Sequence, residues 1–431
     1  MSERLLHQLS AAEVVAAVRS GKVKCEEVAR ACLERVQQRE PIVRAWSFLD
    51  ADLVVRQARH LDAQPRPGPL YGVPVGVKDV IDTHDMPTEM GSIIYRGYRP
   101  AADASIVASL RAAGALIFGK TVTCEFAFVA PGPTTNPHDA SHTPGGSSSG
   151  SAAAVADYMV PLAIGTQTGG SLQRPASYCG VIGYKPTFGL VNRAGVKQAA
   201  ESLDTLGFLV RTVADAEIAC AAVTNAGPVE WLLGDRPLTI GLCRTHLWNG
   251  AEDETRRAIE DSVQRLARAG VTIREAELPG FFASVLSSGR EIINDYERAH
   301  SMSHEWRCHP DAISEKLKES IRKGLRTPRA RFVDALLAVE RCRTALPAVF
   351  HGIDALLTPS VVGEAPLGLE WTGDHRFQSL WTMLHTPTIT LPTHTGPHGL
   401  PVGIQLVAPL YADNHLLAIA RRIFDILGPG A

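Results

Sequence analysis

The sequence predicts an α/β fold: a large mixed or largely parallel central β-sheet covered on both faces by α-helices. Short apolar runs of strand length recur along the chain, and amphipathic helical stretches separate them. The alternation continues through a segment rich in small residues at 143–186, where Met159-Val-Pro-Leu-Ala-Ile reads as a strand buried on both sides. Alternating strands and helices close a core when the helices layer onto a sheet.

Taken in order, Ser10-Ala-Ala-Glu13 forms a capping box that opens a helix over 10–19, with Gly21 as its stop. Helical patterning follows at 25–39 and 51–60, and these early helices face either the core or a second copy of the chain. A proline-rich connection at 65–69 leads into a buried strand at 71–81, then an amphipathic helix at 104–114 and a strand at 115–118. Alanines at 152–156 favour helix, and 159–164 favours strand. Leu203-Asp-Thr-Leu-Gly207 reads as a surface turn, 213–223 as a helix and 227–237 as a loop. Strands are expected at 238–242 and 271–278, flanking a charged amphipathic helix at 253–268. Residues 280–349 read as mostly helical and rich in Arg, Glu and His, an insertion able to cover a site and tune its specificity. Strand character returns at 355–359 and 388–391, and a helix at 413–426 closes the chain. The expected organisation is one domain over 1–431, with N-terminal helices at 1–65, a core at 66–240 and the helical insertion at 280–349. No internal repeat suggests a solenoid.

Composition narrows the function classes. With 43 Lys+Arg against 45 Asp+Glu and a formal net charge of −2, the chain has no electrostatic footprint for nucleic acid or an anionic membrane. A small molecule of little net charge fits better. The first residues lack the features of a signal peptide, and no uncharged apolar run reaches membrane-spanning length. The 8 cysteines are scattered without metal-like or disulfide-like spacing, so reduced thiols and a cytoplasmic location are expected.

The chemistry lies in Thr143-Pro-Gly-Gly-Ser-Ser-Ser-Gly-Ser151 and Gly165-Thr-Gln-Thr-Gly-Gly-Ser171. Glycines beside isolated serines let backbone N–H groups approach a bound group, which is what an oxyanion site needs. Upstream, Lys78 ends the apolar Gly72-Val-Pro-Val-Gly-Val-Lys-Asp79. These three motifs, with Ser147 and Ser171 24 residues apart, resemble the amidase signature family over about residues 13–408. The resemblance implies the family's α/β fold and a hydrolase acting on the C–N bond of linear amides. It casts Lys78 as general base and acid, Ser147 as proton relay after a cis peptide, and Ser171 as the nucleophile that forms an acyl-enzyme. The backbone of Thr168, Gly169, Gly170 and Ser171 becomes the oxyanion hole.

The residue types suit those roles. A serine hydroxyl needs a neighbouring base, and no histidine lies inside these motifs. Lysine serves once burial lowers its pKa, and Val75, Val77 and Val80 around Lys78 suit that shift. Ser148, Ser149 and Ser151 are read as turn and cap residues. The chain departs from many family members in carrying Gln167 for an aspartate and Gln173 at the usual arginine position, with Arg174 following. In that respect it is similar to the family's malonamidases, in which an arginine three residues after the nucleophile holds the substrate carboxylate. Arg174 is therefore the candidate clamp for a small acid amide such as malonamate or a ureido acid.

Other readings are weaker or stay open. Gly114-Ala-Leu-Ile-Phe-Gly-Lys-Thr121 spells a P-loop, but its apolar centre reads as strand. Gly146-Ser-Ser-Ser-Gly150 has nucleophile-elbow spacing without a strand before it. His304, Cys308 and His309 look metal-like in a charged helical stretch and are read as surface, so neither metal nor organic cofactor is expected. The main expectation is an amidase with a small-molecule amide substrate and no nucleic-acid or membrane partner, with a homodimer as its candidate assembly. The alternative is an amidotransferase subunit that releases ammonia from glutamine for a partner. A non-catalytic scaffold would need a broken triad, and all three residues are present.

Overall fold

Eleven strands form one mixed sheet in the computed structural model, which describes residues 5–64, 68–224, 236–285 and 289–430. The connection expected at 65–69 and the loop expected at 227–237 fall largely outside the described residues. In chain order the strands begin with β1 (Trp46–Phe48), β2 (Pro74–Lys78), β3 (Leu116–Thr121) and β4 (Leu162–Gln167). β5 (Ile182–Lys185), β6 (Thr205–Val210), β7 (Thr239–Leu242) and β8 (Thr272–Glu275) follow, then β9 (Ala355–Pro359), β10 (Thr388–Thr395) and β11 (Pro401–Val407). Their spatial order is β1-β3-β2-β4-β6-β5-β10-β11-β9-β7-β8.

The flanks carry parallel runs, β3-β2-β4 on one side, with β1 antiparallel at its edge, and β9-β7-β8 on the other. The centre, from β4 through β6, β5, β10 and β11 to β9, is antiparallel. The sheet is thus mixed, and the largely parallel option is set aside. Parallel pairing of β2 with β4 aligns Val77 with Ile164. It therefore carries Lys78 and Thr166 to the same carboxyl edge, where open α/β sheets place their ligands.

Helices Ser149–Ala156 and Gln173–Cys179 pack on one another, the first over β4 and the second over β5, β10 and β11. A separate group, Val213–Thr224, Asp253–Arg268 and Asp413–Leu427, packs together and covers β6, β9, β10 and β11. The N-terminal reading holds in detail: Ala11–Arg19 has Ser10 and Glu13 closing a reciprocal capping box, and Gly21 follows in the left-handed region. The excursion after residue 280 is helical, with Arg290–Ser301, Glu315–Arg326 and Arg329–Val349 as its longer members. Its apolar side, including Phe282, Ile293, Val339 and Leu346, shares a second core with Leu380 and Trp381 of the helix Arg376–Met383.

Residues 203–207 are not a surface turn. Thr205–Val210 is fully buried as β6, between β4 and β5. Gly207 is required there because a Cβ would stand 2.3 Å from the Tyr184 carbonyl oxygen. β1, β11 and the helix Arg376–Met383 are further elements that the sequence reading did not anticipate. All eight cysteines are free, seven buried and Cys308 exposed.

Candidate active site

Lys78 closes β2 with its side chain fully buried. Its Nζ donates to Ser147 Oγ at 2.8 Å and to Thr166 Oγ1 at 2.7 Å. Burial lowers its pKa from 10.5 to about 7, with Cys124 and Asp204 opposing the shift and the Arg174 charge adding to it. The Gly146–Ser147 peptide is cis. Ser148 fastens this turn to β4, its Oγ donating to the Thr166 carbonyl and accepting from the Thr166 N–H. Its own N–H donates to the Ser171 carbonyl at 3.2 Å, which joins the two serine motifs. Ser151 bridges Thr121 of β3 and Ile164 of β4.

Residues 168–171 turn from β4 into the helix Gln173–Cys179, with Ser171 8% exposed on a cavity. Gln167 organises the turn. Its Oε1 accepts from the N–H groups of Leu172 and Gln173, while its Nε2 donates to Gln173 Oε1 and Thr382 Oγ1. A neutral amide therefore satisfies both sides without an ion pair. Thr168 Oγ1 donates to Asp204 Oδ1 at 2.5 Å, and Asp204 in turn accepts from the N–H groups of Ala199 and Ala200. Thr382 Oγ1 donates to the Gly169 carbonyl at 2.7 Å. Pinned in this way, the N–H groups of Gly169, Gly170 and Ser171 meet no backbone acceptor among the described residues. A Cβ on Gly169 or Gly170 would stand 2.6 Å from Arg290 Nη2 or Gln378 Oε1, so neither position admits a larger residue without displacement.

Arg174 is buried beside this loop. Its Nη1 donates to the Gly373 carbonyl at 2.6 Å, and its Nη2 to the Gly146 carbonyl at 2.5 Å and to Thr372 Oγ1 at 3.0 Å. Three of the five guanidinium donors are thus engaged within the protein.

The cavity over Ser171 measures about 310 Å³ and is lined by the 168–171 loop, Phe128, Arg174, Arg290, Arg298 and His375, among others. Much of its wall comes from 290–323, so the helical excursion does cover the site. Sequence reasoning brought Lys78, Ser147, Ser171, the loop and Arg174 to this region. It missed Thr166, Asp204 and Thr382, which pin the parts, and both excursion arginines. Asp204 was visible only as a turn residue, and a lone threonine near the end of a strand carries no motif.

The rejected motifs have structural roles. Lys120 of the P-loop look-alike is buried in and beside β3, donating to the Pro87 carbonyl and Thr88 Oγ1 and pairing with Asp79 at 3.2 Å. The rings of His304 and His309 meet edge to face at 5.5 Å, and Cys308 is exposed. The cluster His84, Asp85 and Asp103 has metal-like proximity, but Arg111 pairs with both aspartates at 2.8 and 3.0 Å.

A buried amine joined to a serine, beside a second serine in a cradle of main-chain donors, is an arrangement that can carry serine-type acyl transfer. Residues 27–417 match the Amidase family, and the chain belongs to it, an enzyme that hydrolyses amides. Among curated relatives, it is 34% identical over 472 residues to the A subunit of glutamyl-tRNA(Gln) amidotransferase from Acidothermus cellulolyticus, covering 96% of this chain and 93% of that protein. The same-named subunit of Salinispora arenicola is 32% identical, with 98% of each chain covered. Among solved structures, one described as an amidase superposes with a TM-score of 0.89 at 29% identity, covering 97% of this chain and all of that one. A chain from a vestigial protein complex linked to the origins of an s-triazine catabolic enzyme also gives 0.89, at 26% identity and 98% and 99% coverage.

These relatives correct the partner expectation. A small-molecule amidase without nucleic-acid involvement, with a homodimer as its candidate assembly, is not what they are: each curated relative named above is one subunit of an enzyme named for glutamyl-tRNA(Gln). Near-neutral net charge misled here, because it reports on the whole chain's field and says nothing of surfaces a partner supplies. Among the described residues no helix is long and apolar enough to cross a membrane.

Proposed function

We propose that the chain is the ammonia-releasing subunit of an amidotransferase-type assembly, hydrolysing the side-chain amide of glutamine alongside a protein partner. The observation that carries this reading is 34% identity, over 96% of the chain, to the A subunit of such an enzyme. The malonamate-like reading needs Arg174 as a carboxylate clamp. The engagement of that guanidinium with Gly373, Gly146 and Thr372 supports instead a residue that holds the Gly146 carbonyl in place.

In this reading Ser171 Oγ attacks the amide carbon while its proton passes to Ser147 and the Ser147 proton passes to Lys78. The N–H groups of Gly169, Gly170 and Ser171, with that of Thr168, receive the oxyanion. The C–N bond then breaks as the relay returns the proton to nitrogen, and ammonia leaves. Water, deprotonated by the same relay, cleaves the Ser171 ester and frees the acid. Only the neutral amine of Lys78 accepts a proton. With its pKa at about 7, kcat/KM is expected to rise about tenfold per pH unit below that value and to level above it. A profile flat from pH 5 to 8 would contradict Lys78 as the base.

The Thr168–Asp204 tether makes a second prediction. Thr168→Val is expected to lower kcat about tenfold while leaving KM nearly unchanged, since it loosens donors that matter most in the transition state. Steady-state kinetics checks it, and a change confined to KM would argue against an oxyanion role for the loop. The function as a whole is tested by assaying ammonia release from L-glutamine by the chain alone and after co-purification with bound partners. The reading expects glutaminase activity that partners raise. A chain that captures none, and hydrolyses other amides while leaving glutamine intact, would overturn it.

A further inference from the structure

We infer that Arg290 and Arg298 form an anion subsite in the Ser171 cavity and hold a carboxylate of the amide substrate a few bonds from the scissile carbonyl. The inference rests on the amidase reading of that cavity and adds the charge its substrate carries. Both residues lie on the helix Arg290–Ser301, separated by about 12 Å of helix rise, and both line the cavity. Arg298 is 2% exposed, with its guanidinium 4.0 Å over the Phe128 ring and its Nη2 donating to Asn294 Oδ1 at 2.9 Å. Its Nε and Nη1 are buried without a hydrogen-bond partner among the described residues, and so is Arg290 Nε. Arg290 Nη2 presses against Gly169, two residues before Ser171.

The Asp204 and Asp295 charges favour the charged form of Arg298, yet no acid of the cavity fills the empty donor positions among the described residues. Glu319 pairs with Lys323 at 3.0 Å, Asp295 accepts from Ser320 Oγ at 2.5 Å, and Glu291 is exposed. His375 stays neutral beside them, the Arg290 charge chiefly and then burial holding its pKa well below the usual range. Burial pulls both arginines down only to about 10, so each is charged at neutral pH. Two desolvated guanidiniums with unmade hydrogen bonds are costly until an anion arrives, and their planar forks match a carboxylate. Since Arg290 stands over the oxyanion loop, the carboxylate must be close to the reacting amide. The α-carboxylate of glutamine and the acid end of a short acid amide both meet that requirement, and neutral amides do not.

Binding and turnover test this separately. In a Ser171→Ala background, L-glutamate, glutarate and malonate are titrated by calorimetry with and without Arg290→Gln or Arg298→Gln. We expect at least one of these acids to bind, and each arginine variant to weaken that binding on the order of tenfold or more. In the active enzyme the ratio of kcat/KM for carboxylate-bearing amides (L-glutamine, succinamate, malonamate) to that for butyramide should fall by a similar factor. No carboxylate binding by the parent, or a ratio unchanged in both variants, overturns the inference. Should Arg298→Gln fail to fold, the half-buried Arg290→Gln decides alone. Loss of the glutamine reading with carboxylate binding intact would remove the proposed function and leave the subsite standing.

Discussion

Replacing Ser171 by alanine is expected to lower kcat for amide hydrolysis on the order of 10⁴- to 10⁶-fold, because in the proposed mechanism it removes the atom that forms the acyl-enzyme. Ser171 is 8% exposed and lines the cavity, so loss of its hydroxyl leaves no large void. Tm should shift by no more than about 2 °C. Ser147→Ala should also be severe, since it severs the path from Lys78 at its 2.8 Å hydrogen bond. The two losses will not add, as members of one relay fail together. Ammonia release by Ser171→Ala within tenfold of wild type would make another group the nucleophile.

Lys78→Met is expected to be as damaging to turnover, about 10⁴-fold or more, yet not to stability. The buried amine has no ion pair among the described residues, only hydroxyl partners on Ser147 and Thr166. A thioether chain of similar length fills the same space without the cost of a buried ionisable group. Thermal unfolding should therefore give a Tm equal to or above wild type at pH 6, where the native amine must carry its proton in a desolvated site. The sign follows from the lowered pKa: between about 7 and the unfolded value, the folded state binds fewer protons than the unfolded one. Lysine burial thus costs stability throughout that range, and the cost grows as pH falls toward about 7. A Tm several degrees below wild type, with activity lost in parallel, would instead make Lys78 a structural residue.

How much of this was legible in the sequence depended on whether the information was local. The alternation of apolar runs marked β2, β3, β4 and the helices between them, and the capping box at Ser10 marked the first helix to the residue. β6 was lost because Asp204 and Gly207 look like turn punctuation. In the structure Asp204 binds Thr168 and the amides of residues 199 and 200, while Gly207 lets Tyr184 of the next strand come close. Neither constraint is written near those residues. The motif residues Lys78, Ser147 and Ser171 stood out by their glycine-rich surroundings. Arg290 and Arg298 did not, because an eight-residue spacing in a charged helix reads as solvated surface until the fold buries it over Phe128 and Gly169. The partner dependence proposed for this chain was equally illegible, since it would lie in surfaces whose complement is another chain.

The most direct measurement is the mass of the protein acid-quenched during turnover of L-glutamine, with any adduct mapped by peptide digestion. A glutamyl ester on the peptide containing Ser171, absent from Ser171→Ala and longer-lived at pH 5.5 where Lys78 is protonated, is the predicted result. An adduct on another serine, or ammonia release that continues when Ser171 is gone, would contradict it.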